Sequence, residues 1–236
     1  MKSRFDRVKA PPKVKLVIFD LDGTLADTGR DLADSVNALR RRRGLEVIPL
    51  RKVVARIGQG VHNLLLNVLP PAARRDLDLA VTEFRAIYLK RCLDRTRLYP
   101  GVSKTLFSLK AARPRIRMAV VSNKPRLMIE KILRGLGIRP LFSAVLGGDD
   151  TPKRKPHPFP LLKLMNRFGT SGAETMMVGD SRFDMEAGKR ARCRVCAVTY
   201  GYETSREIGR WNPDFVIPAF PRLAGVLRRI ARATGS

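Results

Sequence analysis

The 236-residue chain is 44% hydrophobic, enough to pack a sizeable core, and this excludes a wholly disordered protein. No apolar run approaches the roughly 20 residues that a membrane helix needs, and no apolar segment follows the basic stretch Met1–Lys15 as a secretory signal requires, so a cytoplasmic location is expected. Charge is lopsided, with 47 Lys and Arg against 21 Asp and Glu, or +26 at neutral pH. Such a field favours anionic ligands. It is spread along the chain, however, and 6% aromatics offer little stacking surface for bases, so nucleic acid is disfavoured as a partner.

From Val14 the chain reads VKLVIFDLDGT, a short apolar run that ends in acidic and turn residues. That pattern predicts a central parallel strand, buried on both faces, with polar groups at its carboxyl end. Thr28 to Arg97 holds no strand-like run, and helical patterns cover Asp31–Arg42 and Asp76–Leu93. Residues 26–98 are therefore read as a helical cap domain inserted into a core of residues 1–25 and 99–236. The Arg40–Arg43 run closes a cap helix, where cations suit the helix dipole.

After Tyr99-Pro100-Gly101 the alternation resumes. Strand-like runs at Met118–Val121, Ala144–Leu146, Met176–Val178, Val195–Val198 and Phe215–Ile217 interleave with helical stretches at Val102–Ala112, Arg126–Leu136, Pro158–Phe168, Asp184–Ala191 and Arg222–Ala233. The fold class is α/β, a doubly wound (Rossmann-like) parallel sheet with an inserted helical cap. Of the cysteines Cys92, Cys193 and Cys196, the last two have Cys-x-x-Cys spacing. No second pair accompanies them, and they read as structural thiols.

Ligands of open α/β sheets bind outside the carboxyl ends of the strands. Asp20 and Asp22 stand there after the first run, followed by Gly23 and Thr24; Ser122 and Asn123 follow the second, and Asp180 and Asp184 follow Met176–Val178. Lys155 lies in the segment KPHP. Clustered carboxylates repel one another unless a cation neutralises them, and carboxylate oxygens suit Mg2+. A carboxylate beside such a cation can attack phosphorus and split one hard displacement into two easier ones.

In order, the DxDGT box at Asp20–Thr24, Ser122, Lys155 and the GDxxxD box at Gly179–Asp184 resemble the four motifs of the haloacid-dehalogenase-like phosphohydrolases. The insert after the first strand resembles the helical cap of that family. The resemblance implies Asp20 as nucleophile and metal ligand, and Asp22 as general acid/base whose carbonyl also touches Mg2+. It further implies Asp180 as metal ligand, Asp184 as the residue that positions the metal's surroundings, and Ser122, Asn123, Gly23 and Thr24 around the phosphoryl group. Lys155 is expected to pair with the nucleophile and phosphate charges.

Within the family, GGDD (Gly147–Asp150), KPHP (Lys155–Pro158), VGDSRFD (Val178–Asp184) and TYGY (Thr199–Tyr202) resemble the phosphoglycolate phosphatases. In the cap, IGQGVHNLL (Ile57–Leu65) is similar to that group's glycine-bearing specificity loop, which makes Gly58, Gly60, His62 and Arg56 candidates for substrate contact. The expected partner is a small anionic phosphomonoester, with 2-phosphoglycolate first and a sugar phosphate or pyrophosphate as alternatives. The expected assembly is a monomer or homodimer. A rival of another class is a nucleic-acid-binding protein on the same fold. Lys124 is either an exposed charge or a neighbour of the phosphate, and His157 is expected to turn the chain into the next helix.

Overall fold

In the computed structural model, which describes residues 12–112 and 116–233, the run Leu16–Phe19 forms β1 and every one of its side chains is buried. Successive strand residues point to opposite faces, so Leu16 and Ile18 join one apolar cluster while Val17 and Phe19 join another. Both faces of β1 are thus covered, which is why the run does not alternate with polar residues.

β1 lies between β4 (Arg117–Val121) and β6 (Thr175–Gly179) in a six-stranded sheet. Beyond them run β5 (Ala144–Leu146) on one side, and β7 (Arg194–Val198) then β8 (Phe215–Ile217) on the other. All neighbours pair in parallel. The chain builds outwards from β1 to β5 and then returns to β1's other side at β6. The carboxyl end of β1 is therefore where the strand order reverses, the expected place for a ligand crevice.

The helices α5 (Val102–Ala112), α6 (Arg126–Gly135), α7 (Phe159–Phe168), α8 (Arg182–Arg190) and α10 (Arg222–Ala233) follow the sequence expectation to within two residues at each end. A short α9 (Ser205–Gly209), capped by reciprocal bonds between Thr204 and Glu207, was not expected.

Between β1 and α5 stand α1 (Gly29–Arg42), α2 (Leu50–Val54), α3 (Val61–Val68) and α4 (Leu77–Arg91), with α1 packed on α2 and α4. The chain enters and leaves this helical unit through a two-stranded antiparallel ribbon, β2 (Ala26–Asp27) with β3 (Arg97–Leu98). Asp31 fastens the exit to α1 by accepting from the backbone of Arg95 and Thr96 and from the Thr96 hydroxyl. Two members of the basic run serve the helical unit itself. The buried Arg40 donates to the carbonyls of Glu46 and Val68, and Arg43 pairs with Asp76 and Glu83.

No helix among the described residues is long and apolar enough to cross a membrane. The basic stretch at Met1–Lys15 lies outside the described residues up to position 11.

Candidate active site

Three parallel strand ends deliver the polar groups. Asp20 and Asp22 follow β1, Ser122 to Lys124 follow β4, and Asp180, Ser181 and Asp184 follow β6; Lys155 comes in from the loop before α7. All of these side chains are buried.

Oxygens of Asp20, Asp180 and Asp184 lie within 4.8 Å of one another. The Lys155 ammonium reaches Asp184 Oδ1 at 2.6 Å, Asp20 Oδ1 at 3.0 Å and the Val121 carbonyl at 2.8 Å. Burial opposes its charge, but Asp184 and Asp20 outweigh that and hold its pKa above the ordinary lysine value. Asp22 faces the other way. Its Oδ1 accepts from Lys124 Nζ at 2.6 Å and from the Thr28 hydroxyl at 2.5 Å.

Asp20, Asp22, Asp180 and Asp184 thus meet only Lys124 and Lys155 among the buried ionisable side chains at this crevice, which leaves two negative charges in excess when all are ionised. Burial, then the neighbouring carboxylates Asp184 and Asp22, push Asp20 up to about 7 against the pull of Lys155. Burial, then Asp184 and Asp20, raise Asp180 likewise. Asp20 Oδ1 is buried with only the Lys155 ammonium beside it, an ion pair without hydrogen-bond alignment. An all-oxygen set with surplus charge and an undersupplied carboxylate fits a hard divalent cation of the Mg2+ type.

Two cavities open on these groups. One, of about 690 Å3, runs from Asp20, Asp22 and Asp180 out between Arg56 and Gly58 on the helical unit and Arg182 and Glu203 on the sheet unit. The other, of about 30 Å3, lies between Asp20, Asp22, Ser122 and Lys124 on one side and Leu32, Val61 and Leu64 on the other.

This arrangement can be set against known proteins. A family model described as haloacid dehalogenase-like hydrolase matches residues 17–198. The chain belongs to the haloacid dehalogenase-like hydrolases. A protein named phosphoglycolate phosphatase from Photobacterium profundum is 36% identical over 222 residues, covering 91% of this chain and 96% of the relative. Another of that name from Haemophilus influenzae is 37% identical over 221 residues, covering 90% and 98%. Among solved structures, a protein titled a predicted phosphoglycolate phosphatase from Haemophilus somnus superposes with a TM-score of 0.84 at 33% identity, covering 90% of this chain and 97% of that one.

The structure gives each of the expected residues its protein partners. Thr24 bonds Asp180, and Gly23 lies against it. The Thr24 hydroxyl donates to Asp180 Oδ1 at 2.8 Å, and the Gly23 N–H donates to the Ala26 carbonyl. Gly23 has φ +83°, and a Cβ there would stand 2.1 Å from Asp180 Oδ2.

Asn123 lines the small cavity, but both hydrogens of its amide have protein acceptors, the Gly58 carbonyl at 2.8 Å and the Lys155 carbonyl at 2.7 Å. Asp184, expected behind the metal, contributes an oxygen to the carboxylate cluster itself. It also caps α8 by accepting from Ser181.

In the helical unit, Arg56 and Gly58 line both cavities and Gly60 the small one. His62 does not join them. It stands on the exposed face of α3, whose buried face is Val61, Leu64, Leu65 and Val68. His157 Nδ1 accepts from the backbone N–H of Phe159, which fits the turn into α7.

The sequence reading missed Thr28, Tyr88 and Tyr202. The Tyr202 N–H donates to Asp180 Oδ2, and its hydroxyl meets the Thr28 N–H and Asp27. The TYGY stretch was visible, but nothing in it foretold that one tyrosine would join Asp180 to the β2–α1 junction.

Proposed function

We propose that this protein is a Mg2+-dependent phosphomonoesterase that hydrolyses 2-phosphoglycolate to glycolate and phosphate through an aspartyl-phosphate on Asp20. The observation that carries the reading is the buried group of four carboxylates and two lysines at the switch point of the sheet, short of two positive charges. Asp20, Asp180 and Asp184 would hold the cation, and the family resemblance adds the Asp22 carbonyl. When bound there, a divalent cation offsets the charge of a transferring phosphoryl group.

The residues divide the work as follows. An Asp20 oxygen bonds to phosphorus as the bond from phosphorus to the leaving oxygen breaks, and Asp22 delivers a proton to that oxygen. A water then gives its proton to Asp22 while its oxygen attacks phosphorus, the bond to Asp20 breaks, and phosphate leaves. Lys155 holds Asp20 in line, and Ser122, which lines the small cavity with Asp20, hydrogen-bonds the phosphoryl group. Residues 26–98 act as a cap pivoting on the β2–β3 ribbon, which excludes water during transfer and reopens for release.

Two observations favour a small acid as leaving group. The relatives of matching length carry the name phosphoglycolate phosphatase. The small cavity next to Asp22 carries the buried Lys124 ammonium on its wall, which suits an anionic leaving group.

The test is phosphate release from 2-phosphoglycolate, hexose and pentose phosphates, nucleotides and pyrophosphate, with Mg2+ and with EDTA. A kcat/KM highest for phosphoglycolate and abolished by EDTA is expected. Metal-dependent activity that peaks on another ester overturns the substrate but keeps the mechanism. Turnover that survives EDTA overturns the metal.

A further inference from the structure

We infer that Lys124 is the cation that receives the carboxylate of the leaving group and so selects phosphorylated 2-hydroxy acids over neutral monoesters. The inference rests on the phosphatase reading above and adds to it the residue that reads the acid.

Lys124 is an unusual lysine. Its side chain is only 4% exposed, next to an Asp22 side chain that is 8% exposed. The ammonium lies 2.6 Å from Asp22 Oδ1 and 2.8 Å from the Tyr88 hydroxyl, with the Tyr88 ring centroid 4.7 Å away. Desolvating an ammonium costs several kcal/mol unless its partners compensate. Lys155 bears the same cost beside Asp20 and Asp184, but Lys124 bears it on the wall of the small cavity, which it shares with Arg56 and with the apolar Leu32, Val61, Leu64 and Met128.

Position relative to the chemistry gives the charge its use. Asp22 serves the oxygen that leaves phosphorus, so that oxygen must come to rest against the Asp22 carboxyl. Lys124 touches the same carboxyl, and therefore stands about one side-chain contact from the leaving oxygen. In glycolate the carboxylate carbon is two covalent bonds from that oxygen, which brings its charge into reach of the ammonium. An ammonium has three donors, and Asp22 and Tyr88 engage two of them. A neutral alcohol of the same size would leave the third donor of the buried ammonium without an acceptor, and discrimination of this kind is far stronger than that from a missing methylene.

Tyr88 belongs to α4 of the helical unit, while Lys124 follows β4 of the sheet. The acid-reading group is thus assembled from both units and is complete only when they meet.

The experiment compares 2-phosphoglycolate with ethyl phosphate, which has a methyl in place of the carboxylate, on wild type, Lys124→Met and Lys124→Arg, all with Mg2+. The ratio of the two kcat/KM values is expected to fall at least ~30-fold in Lys124→Met, chiefly through KM for phosphoglycolate, and to recover in part in Lys124→Arg. An equal fall on both substrates would mean that Lys124 only holds Asp22, and overturns the inference. An unchanged ratio does the same.

Binding supplies a readout that does not need turnover. On wild type, 3-phosphonopropionate should raise the thermal midpoint at a concentration at least ~10-fold lower than propylphosphonate does, and equal potency sinks the assignment whatever the variants do. If wild type itself prefers another monoester, the substrate reading above has failed. If wild type prefers phosphoglycolate and Lys124→Met keeps that preference, only the role of Lys124 has.

Discussion

The side-chain amide of Asn123 donates to the carbonyl of Gly58 at 2.8 Å and to the carbonyl of Lys155 at 2.7 Å, so one residue clasps the helical unit's loop to the sheet and fixes the backbone that carries the buried Lys155. An amide nitrogen has two hydrogens, and both are used. Removing the pair should cost about 1–3 kcal/mol, because two partly buried carbonyls lose their donors. Asn123→Ala is therefore expected to lower kcat/KM about 10-fold or more. Asn123→Asp should do worse, since it turns carboxylate oxygens toward two carbonyls. Steady-state kinetics of both variants check this, and a wild-type kcat/KM in Asn123→Ala would refute the clasp.

Gly23 supplies a second, independent test. Its φ of +83° already disfavours a side chain, and a Cβ would lie 2.1 Å from Asp180 Oδ2, a carboxylate oxygen held by Tyr202 N–H. Gly23→Ala must push Asp180 out of the carboxylate cluster. Displacing a group that positions metal ligands typically costs 10–100-fold in metal affinity, so the Mg2+ concentration for half-maximal activity should rise by about that factor. Circular dichroism should show the fold retained. An unshifted Mg2+ titration would mean that Asp180 does not ligate the ion.

How much of this was legible in the sequence follows from burial. The runs that became β1, β4, β6 and β7 announce themselves because strands covered on both faces must be apolar throughout, and the acids that end them stand out against that background. The ribbon β2–β3 is two residues long in each strand and leaves no periodic trace, so the paired entrance and exit of the helical unit were not readable. For Lys124 the sequence left open an exposed charge or a neighbour of the phosphate, and its burial against Asp22 and Tyr88 excludes the exposed charge. His62 stood out because it lies in the stretch that resembles a specificity loop, yet that likeness says nothing of which face of α3 it occupies. The bond from the Thr24 hydroxyl to Asp180 was not legible, because a motif names residues and not the direction of their hydrogen bonds.

The raised pKa of Asp20 has a measurable sign. Burial and the neighbouring carboxylates bring it from the ordinary aspartate value up to about 7. Below that value the folded chain keeps a proton that the unfolded chain has already released, so the folded state binds more protons within the window. Stability of the metal-free protein must then fall as pH rises from about 4 to about 7. Asp180 shifts in the same direction. In EDTA, wild type should lose thermal stability across that range more steeply than Asp20→Asn, which removes one of the repelling charges. The variant should also be the more stable at pH 7.5 without metal and inactive with it. Parallel pH slopes for the two proteins would show that Asp20 is not the group responsible.

The cysteines make a prediction of the opposite kind, an absence of chemistry. Cys193 and Cys196 are three apart at and within β7, an odd spacing that sends their side chains to opposite faces of the sheet. Accordingly Cys193 packs with Met165, Leu164 and Ala191 in one apolar cluster, whereas Cys196 packs with Val178 and Val198 in another. Such a pair can neither close a disulfide nor grip one metal ion without breaking the sheet. Burial pushes both thiols up to about 12, and burial also raises Cys92. Thiolate is the reactive form, so the native protein should react with a thiol-specific disulfide reagent at least ~100-fold more slowly than the denatured chain, which should titrate three thiols. Reductant and zinc chelators selective against Mg2+ should leave activity unchanged. Fast labelling of Cys193 or Cys196 in the folded protein would show that the Cys-x-x-Cys spacing carries a function after all.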